Sequence, residues 1–422
     1  MADAIMKLDP DQVPWLFETR LQAVFDAIEA AGGEARVAGG AVRNSLMGEA
    51  VVDVDLATTL VPEKTMEAIG KAGLKAVPTG IAHGTVTAVS DGRGYEITTI
   101  RDDIETDGRH AVVRFGTDWE RDALRRDLTI NGLYCDRHGE IFDPLGNLED
   151  VRARQVRFIG KADERIEEDY LRILRFFRFF AQYGAGRPDA EGLKAVTRMK
   201  DGLQRVSAER IWMELRKLLA ARDPSRALLW MRTTGVLNLI LPESEKWGID
   251  FIAPLIEAET RFGWRKDRKG DAKGEAIQRL EAIIRPDGAV ARKLAKRLKL
   301  SNADRDRLLA WTMAELPETP LDEEALKQQV YYGNSQAIAD RLRLATAIAI
   351  SRNEPAGKIE AMADNADFSA NWTPPQFPVS GKDLVEKGIP EGREVGRLLK
   401  RLEKTWVESG FSLSAEALLK DI

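Results

Sequence analysis

Arg36-Val37-Ala38-Gly39-Gly40-Ala41-Val42-Arg43-Asn44, followed by Val51-Val52-Asp53-Val54-Asp55-Leu56, decides how this chain folds. It reads as a strand, a glycine turn, a short helix and a second strand that carries two carboxylates. Side chains alternate faces along a strand, so Asp53 and Asp55 are expected on one face and Val52, Val54 and Leu56 on the other. Gly39-Gly40 between a strand and a helix start offers backbone N–H groups and a partial positive charge to an anion. Arg43 in the first helical turn adds a fork suited to phosphate. A strand-Gly-Gly-helix junction is also an ordinary tight turn, and its meaning depends on what surrounds it.

Outward from that stretch, strand candidates recur at Arg36–Ala38, Val51–Ala57, Lys75–Val77, Gly84–Val89, Tyr95–Ile100 and Leu133–Cys135. Helices are expected at Gln12–Ala31, Ala41–Met47 and Pro62–Ala72. This alternation predicts a mixed α/β head. From about Asp163 helical spacing takes over, with breaks at Asp223-Pro224 and Leu241-Pro242, a charged connection over Arg265–Gly274 and a polar linker over Asn365–Pro378. The expected organisation is a head over residues 1–150, a helical neck over 151–222, a helical body over 223–365 and a helical tail over 366–422.

The 422 residues carry a net charge of −5, with 44% hydrophobic and 31% charged residues, an ordinary globular composition that exceeds a single core. The amino terminus lacks a basic region leading into an apolar run, and no apolar stretch is long enough for a membrane span, so a cytoplasmic location is expected. One cysteine, Cys135, and three separated histidines exclude a disulfide framework and argue against a Cys/His zinc site. The negative total hides local basic runs. Arg265–Lys299 holds twelve Lys/Arg against five Asp/Glu, a pattern that fits either a nucleic-acid surface or a solvated helix face.

Paired carboxylates beside a glycine turn suit metal-assisted phosphate chemistry. Asp53 and Asp55 could hold two Mg²⁺ ions about 3.5–4 Å apart, and oxygen-only ligands favour magnesium over softer metals. A charged edge strand is the competing explanation. Glu96, on the strand Tyr95–Ile100, is the candidate third carboxylate. Arg125-Arg126-Asp127-Leu128-Thr129-Ile130-Asn131-Gly132 supplies a second constellation: Arg126 to reach a triphosphate, Asn131 to bond sugar or backbone, or alternatively a structural ion pair to Asp127.

The third constellation is Glu168-Asp169-Tyr170-Leu171-Arg172-Ile173-Leu174-Arg175-Phe176-Phe177-Arg178. Asp169 and Arg172 are expected to be helix neighbours, whereas at about 100° per residue Arg178 drifts nearly opposite Asp169. An Asp acceptor beside an Arg donor matches the amino group and ring nitrogen of cytosine or adenine, and mismatches the carbonyls of uracil and guanine. Arg175 and Arg178 would brace the helix or meet phosphate. An intrahelical Asp169–Arg172 salt bridge is the bland alternative.

With these motifs in one order, together with Gly80-Ile81-Ala82-His83-Gly84-Thr85-Val86 and Ser207-Ala208-Glu209-Arg210-Ile211, the chain resembles the class II nucleotidyltransferases, specifically the bacterial tRNA CCA-adding enzymes and their relatives the poly(A) polymerases. The matching run covers about Arg36 to Leu219. The resemblance implies a polymerase-β-like head followed by an all-α neck, body and tail, with Mg²⁺ at Asp53 and Asp55. It further implies nucleotide contacts at Gly40, Arg43, Arg126, Asp169, Arg172, Arg175 and Arg178, beside the Gly39 and Asn131 contacts read from the residues themselves, with CTP and ATP as substrates and the tRNA acceptor end as partner. Arg101–Arg121, with Asp107-Gly108-Arg109-His110, resembles the flexible loop of enzymes that add all of C, C and A, which makes poly(A) polymerase the second reading. Asn44 stands where that family usually has aspartate, and Leu128 and Gly132 replace its commoner Phe and Ala.

Overall fold

The computed structural model describes residues 3–107, 110–245, 248–268, 271–420 and 422. Its amino-terminal part runs β1 (Met6–Lys7), α1 (Thr19–Ala30), β2 (Ala35–Ala38), α2 (Gly40–Met47), β3 (Asp55–Thr58), α3 (Pro62–Lys71), β4 (Lys75–Gly80), β5 (Thr85–Ser90) and β6 (Arg93–Thr99). It continues through β7 (Arg101–Asp107), β8 (His110–Phe115), α4 (Trp119–Leu124), β9 (Tyr134–Cys135), β10 (Glu140–Phe142) and α5 (Leu148–Arg152). Eight of these strands form one mixed sheet in the order β1-β10-β9-β2-β3-β6-β5-β4.

One pairing in that sheet positions the site. β3 runs parallel to β6, with Asp55 opposite Glu96 and Leu56 opposite Ile97, whereas its other neighbour, β2, is antiparallel. The alternation predicted from sequence sorts the faces. Val37, Leu56, Val86 and Ile97 are buried on the side covered by α1 and α3, each such side chain contributing about 1.5–3 kcal/mol by leaving water. Ala57, two residues beyond Asp55, lies on the opposite side and packs with Trp119 and Ala123 of α4 and with Tyr134. The β5–β6 turn at Asp91-Gly92 has positive φ at both residues (46° and 72°), the backbone a tight hairpin between twisted strands requires.

The head differs from the sequence expectation in two places. Asp53 precedes β3 instead of lying on it, and Val52 is exposed while Val54 and Leu56 are buried. The stretch expected as a loop over Arg101–Arg121 contains the antiparallel pair β7–β8 and the start of α4; Gly108 and Arg109 lie outside the described residues.

Helices follow: α6 (Ala162–Glu168), α7 (Arg172–Tyr183), α8 (Ala190–Met199) and α9 (Ala208–Leu219). Phe176, Phe177 and Phe180 of α7 are buried, with Phe176 stacked on Phe158 at 5.2 Å. The expectation that Asp169 sits within a helix is corrected. Asp169 is extended (φ −155°, ψ 105°), ends α6, and its carboxylate accepts from the Leu171 backbone N–H at 3.1 Å. A short polar side chain that captures a nearby N–H ends one helix and starts the next.

Chain contacts define two units: residues 1–249 with 265–276, and residues 250–264 with 277–422. The charged connection expected near residue 265 contains a short antiparallel pair, β11 (Lys266–Arg268) with β12 (Asp271–Lys273), so the chain after residue 163 is largely rather than wholly helical. The second unit is helical throughout its described residues apart from its connections. The helix Ala356–Asn371 runs into the stretch expected as a linker from Asn365. Ala366 and Ser369 are buried there, and the Asn365 amide is tied to the Leu321 backbone. Within the basic run, Arg279 is fully buried against Glu259 (Nη2 to Oε2, 2.6 Å), which removes it from any charged surface. No helix among the described residues is long and apolar enough to cross a membrane.

Candidate active site

The glycine turn is a conformational necessity. Gly39 has φ +64° and ψ −100°, and a Cβ there would lie 3.2 Å from Arg126 Nη1 and 3.3 Å from the Asn131 carbonyl oxygen. Only glycine adopts this backbone without strain. Its own N–H donates to the Leu133 carbonyl at 3.0 Å, which takes it out of the set of N–H groups that the glycine turn was expected to offer an anion. Gly40 is the first residue of the eight-residue helix α2.

Arg43 is buried. Its Nη2 donates to Asn44 Oδ1 and to the Tyr183 hydroxyl, both at 2.8 Å, its Nη1 donates to Asn131 Oδ1, and its guanidinium lies 4.0 Å from the Tyr183 ring centre. Burial lowers its pKa from the usual arginine value. Asn131 in turn donates through Nδ2 to Asp127 Oδ1 at 3.0 Å, and Asp127 Oδ2 accepts from Arg175 Nε at 2.6 Å. Arg43, Asn131, Asp127 and Arg175 therefore form one connected chain from α2 to α7.

Asp53, Asp55 and Glu96 are exposed side chains on neighbouring backbone. The surrounding protein first, and then the Glu96 and Asp53 carboxylates, raise the Asp55 pKa, with Arg126 opposing. An acidic side chain whose pKa is raised by two neighbouring carboxylates suits a divalent cation, because the ion supplies the missing positive charge and prefers hard oxygen donors. Among the described residues, no three His, Cys, Asp or Glu side chains are drawn together into a ligand cage.

Arg126 lies between the turn and these carboxylates. Its Nη2 and Nε donate to Asp122 Oδ2 at 3.0 and 3.3 Å, and its Nε also donates to the Tyr134 hydroxyl at 3.2 Å. Burial would lower its pKa, but Tyr134 and Asp122 outweigh that and raise it. Asp122 is fully buried and also accepts from Arg125 (2.6 Å) and from the Tyr134 hydroxyl (2.7 Å). Burial pulls its carboxyl upward, yet the Arg126 and Arg125 charges and these hydrogen bonds hold it at about 2. The structural ion pair expected between an arginine and Asp127 is present, with Arg175 of α7 as the arginine, while Arg125 and Arg126 of the motif itself pair with Asp122.

At the start of α7 the Arg172 backbone N–H donates to the Asp169 carbonyl at 3.0 Å, but their side chains pair elsewhere, Arg172 with Glu168 and Asp169 with Arg210, in place of the Asp169–Arg172 salt bridge. Asp169 Oδ2 accepts from Arg210 Nη2 of α9 at 2.7 Å. Arg172 Nη1 donates to Glu168 Oε2 and to the Arg165 carbonyl (2.9 Å), and its Nη2 to the Arg125 carbonyl (3.3 Å). Arg178 is buried and pairs with Glu214 of α9, donating to Gln182 as well. Arg175 and Arg178 accordingly brace α7, one against the head and one against α9. Sequence reasoning passed over Asp122, Tyr183 and Glu214, and Arg210 entered it only as part of the Ser207–Ile211 motif, with no role of its own. The spacing of Arg210 and Glu214, one helical turn apart, was the available signal, but it could not name their partners.

The family description "Poly A polymerase head domain" matches residues 35–157, and "Probable RNA and SrmB- binding site of polymerase A" matches residues 187–247. The chain is 34% identical to CCA tRNA nucleotidyltransferase 1, mitochondrial, of Mus musculus over 99% of its own length and 93% of the relative's. It is 31% identical to the CCA-adding enzyme of Geobacillus kaustophilus over 90% of each. Its structure is similar to that of the Bacillus stearothermophilus CCA-adding enzyme in complex with CTP (TM-score 0.72, 26% identity, 93% of each chain covered). It shares the fold of the Thermotoga maritima CCA-adding enzyme complexed with tRNA (TM-score 0.62, 18% identity, 99% and 96% covered).

Proposed function

Because the chain belongs to the class II nucleotidyltransferase family of CCA-adding enzymes and poly(A) polymerase heads, we propose that it is a CCA tRNA nucleotidyltransferase whose residues divide the work as follows. The reaction joins the tRNA 3′-hydroxyl to the α-phosphate of CTP or ATP and releases pyrophosphate. Asp53 and Asp55 would hold Mg²⁺, with Glu96 beside them. When bound, the metal activates the attacking hydroxyl and offsets charge on the departing pyrophosphate. The observation that carries this assignment is the parallel register that sets Asp55 against Glu96, with Arg126 near enough to oppose the rise in the Asp55 pKa.

The α2 start and Arg126 provide positive potential for the triphosphate. Arg43, Asn131 and Arg175 act on the nucleotide from behind, by fixing the turn and α7. Asp169 accepts from the base amino group and Arg172 donates to the ring nitrogen, which admits cytosine and adenine and leaves uracil and guanine mismatched. No nucleic-acid template enters this scheme. The neck, body and tail division is proposed on the same footing, with the later helices contacting RNA phosphates, which position RNA without reading sequence. A cytoplasmic location, expected from the amino-terminal pattern and the short apolar runs, is also a proposal. The mouse relative is named mitochondrial, and cell fractionation against a mitochondrial marker decides between the two.

The decisive experiment gives the purified protein a tRNA lacking its 3′ end, with CTP and ATP separately and together. Addition of C, C and then one A is expected. A long A tail on diverse RNAs would identify a poly(A) polymerase, and tight binding without incorporation an inactive relative.

A further inference from the structure

Asp169 and Arg172, the pair assigned above to the base, hang from an unusual support. Asp169 lies outside any helix, and a side chain in such a three-residue link is free to rotate unless something holds it. Arg210, in the first turn of α9, holds it: its Nη2 meets Asp169 Oδ2 at 2.7 Å while the Leu171 N–H meets Oδ1. One helical turn further along α9, Glu214 takes Arg178 of α7. The two charges of α9 thus grip the link before α7 and the second turn of α7 itself, with opposite polarity at the two points.

Counting hydrogen-bond capacity shows that this grip orients the pair without blocking it. A carboxylate accepts about four hydrogen bonds, and Asp169 receives one on each oxygen. Arg172 has five N–H donors; two on Nη1 and one on Nη2 are taken by Glu168 and by the Arg165 and Arg125 carbonyls, which leaves Nε and the second Nη2 proton. Both members keep the group a base edge needs.

We infer that Arg210 is a positioning residue for nucleotide choice: by fixing the Asp169 carboxylate it sets which base edges are accepted, although it does not itself read the base. This rests on the assignment of Asp169 as base reader. It distinguishes Arg210 from an ordinary packing residue, whose loss would weaken the fold or slow all nucleotides equally.

The test is a double-mutant cycle read as selectivity, the ratio of kcat/KM for CTP over UTP and for ATP over GTP on truncated tRNA. Arg210→Gln is expected to lower both ratios about tenfold or more, as for a site that loses a fixed hydrogen-bonding partner, with the KM for tRNA unchanged. Arg210→Lys keeps the charge without the planar fork and should fall between; it remains informative where the glutamine variant unfolds at a lower temperature. In an Asp169→Ala background, Arg210→Gln should change selectivity no further. Unchanged selectivity in both Arg210 variants, or a loss that adds in full to that of Asp169→Ala, overturns the inference while leaving the base reader intact. Unchanged selectivity in Asp169→Ala alone removes the base reader and the inference with it.

Discussion

At the scale of single residues, Asp53 and Asp55 hold different positions although both are exposed carboxylates. Asp55 is anchored on β3 opposite Glu96 and carries the raised pKa; Asp53 lies two residues before it, ahead of the strand, and contributes to that shift. Asp53→Ala and Asp55→Ala should each reduce incorporation of labelled nucleotide by about 10²–10³-fold or more, as for loss of a group that stabilises transition-state charge. Filter retention of tRNA should stay near wild type. Normal turnover by both variants would take these residues out of the mechanism. The pair stood out in the sequence as two acids spaced by one valine after Gly39-Gly40, although a charged edge strand would read the same way. The partners did not. Nothing local says that Arg126 serves Asp122 four residues earlier, or that Asp127 serves Arg175 forty-eight residues later.

Among the elements, β2, α2 and β4–β6 follow directly from period-two alternation and glycine punctuation, and they appear within a few residues of expectation. The break between α6 and α7 was hidden, because Glu168-Asp169-Tyr170-Leu171-Arg172 satisfies helical spacing and only the capture of the Leu171 N–H by Asp169 ends the helix. The turn before α2 gives the clearest test at this scale. Gly39→Ala forces a side chain into a left-handed backbone and within 3.2 Å of Arg126. The expected cost is about 1–3 kcal/mol, typical of a strained backbone position, seen as a lower urea midpoint. Because the crowded group is Arg126, the KM for CTP should rise with it. A Gly39→Ala enzyme with wild-type KM would separate the turn from triphosphate binding.

For the whole molecule, the net charge of −5 does not prevent RNA binding, because the charges are unevenly distributed and many arginines are internal. That interior charge makes stability depend on acid. Asp122 and Asp127 are each held at about 2 against an ordinary 3.8. The stabilisation from these depressed carboxyls is complete above 3.8 and is lost as pH falls from there toward 2, on the order of 2 kcal/mol for each group. Asp55 has the opposite sign, since its raised pKa means that ionisation costs stability as pH rises. Denaturant midpoints from pH 6 down to pH 3 should fall steeply in the wild type and less steeply in Asp122→Asn. Equal slopes would show that this carboxyl is ionised as easily unfolded as folded. The chain of contacts from Arg43 through Asn131 and Asp127 to Arg175 has one more consequence. On the proposed assignment it gives the phosphate end and the base end of a nucleotide a common support, through which binding at one end would be coupled to binding at the other. Whatever factor pyrophosphate at the turn imposes on nucleoside affinity at α7, the nucleoside must return to pyrophosphate.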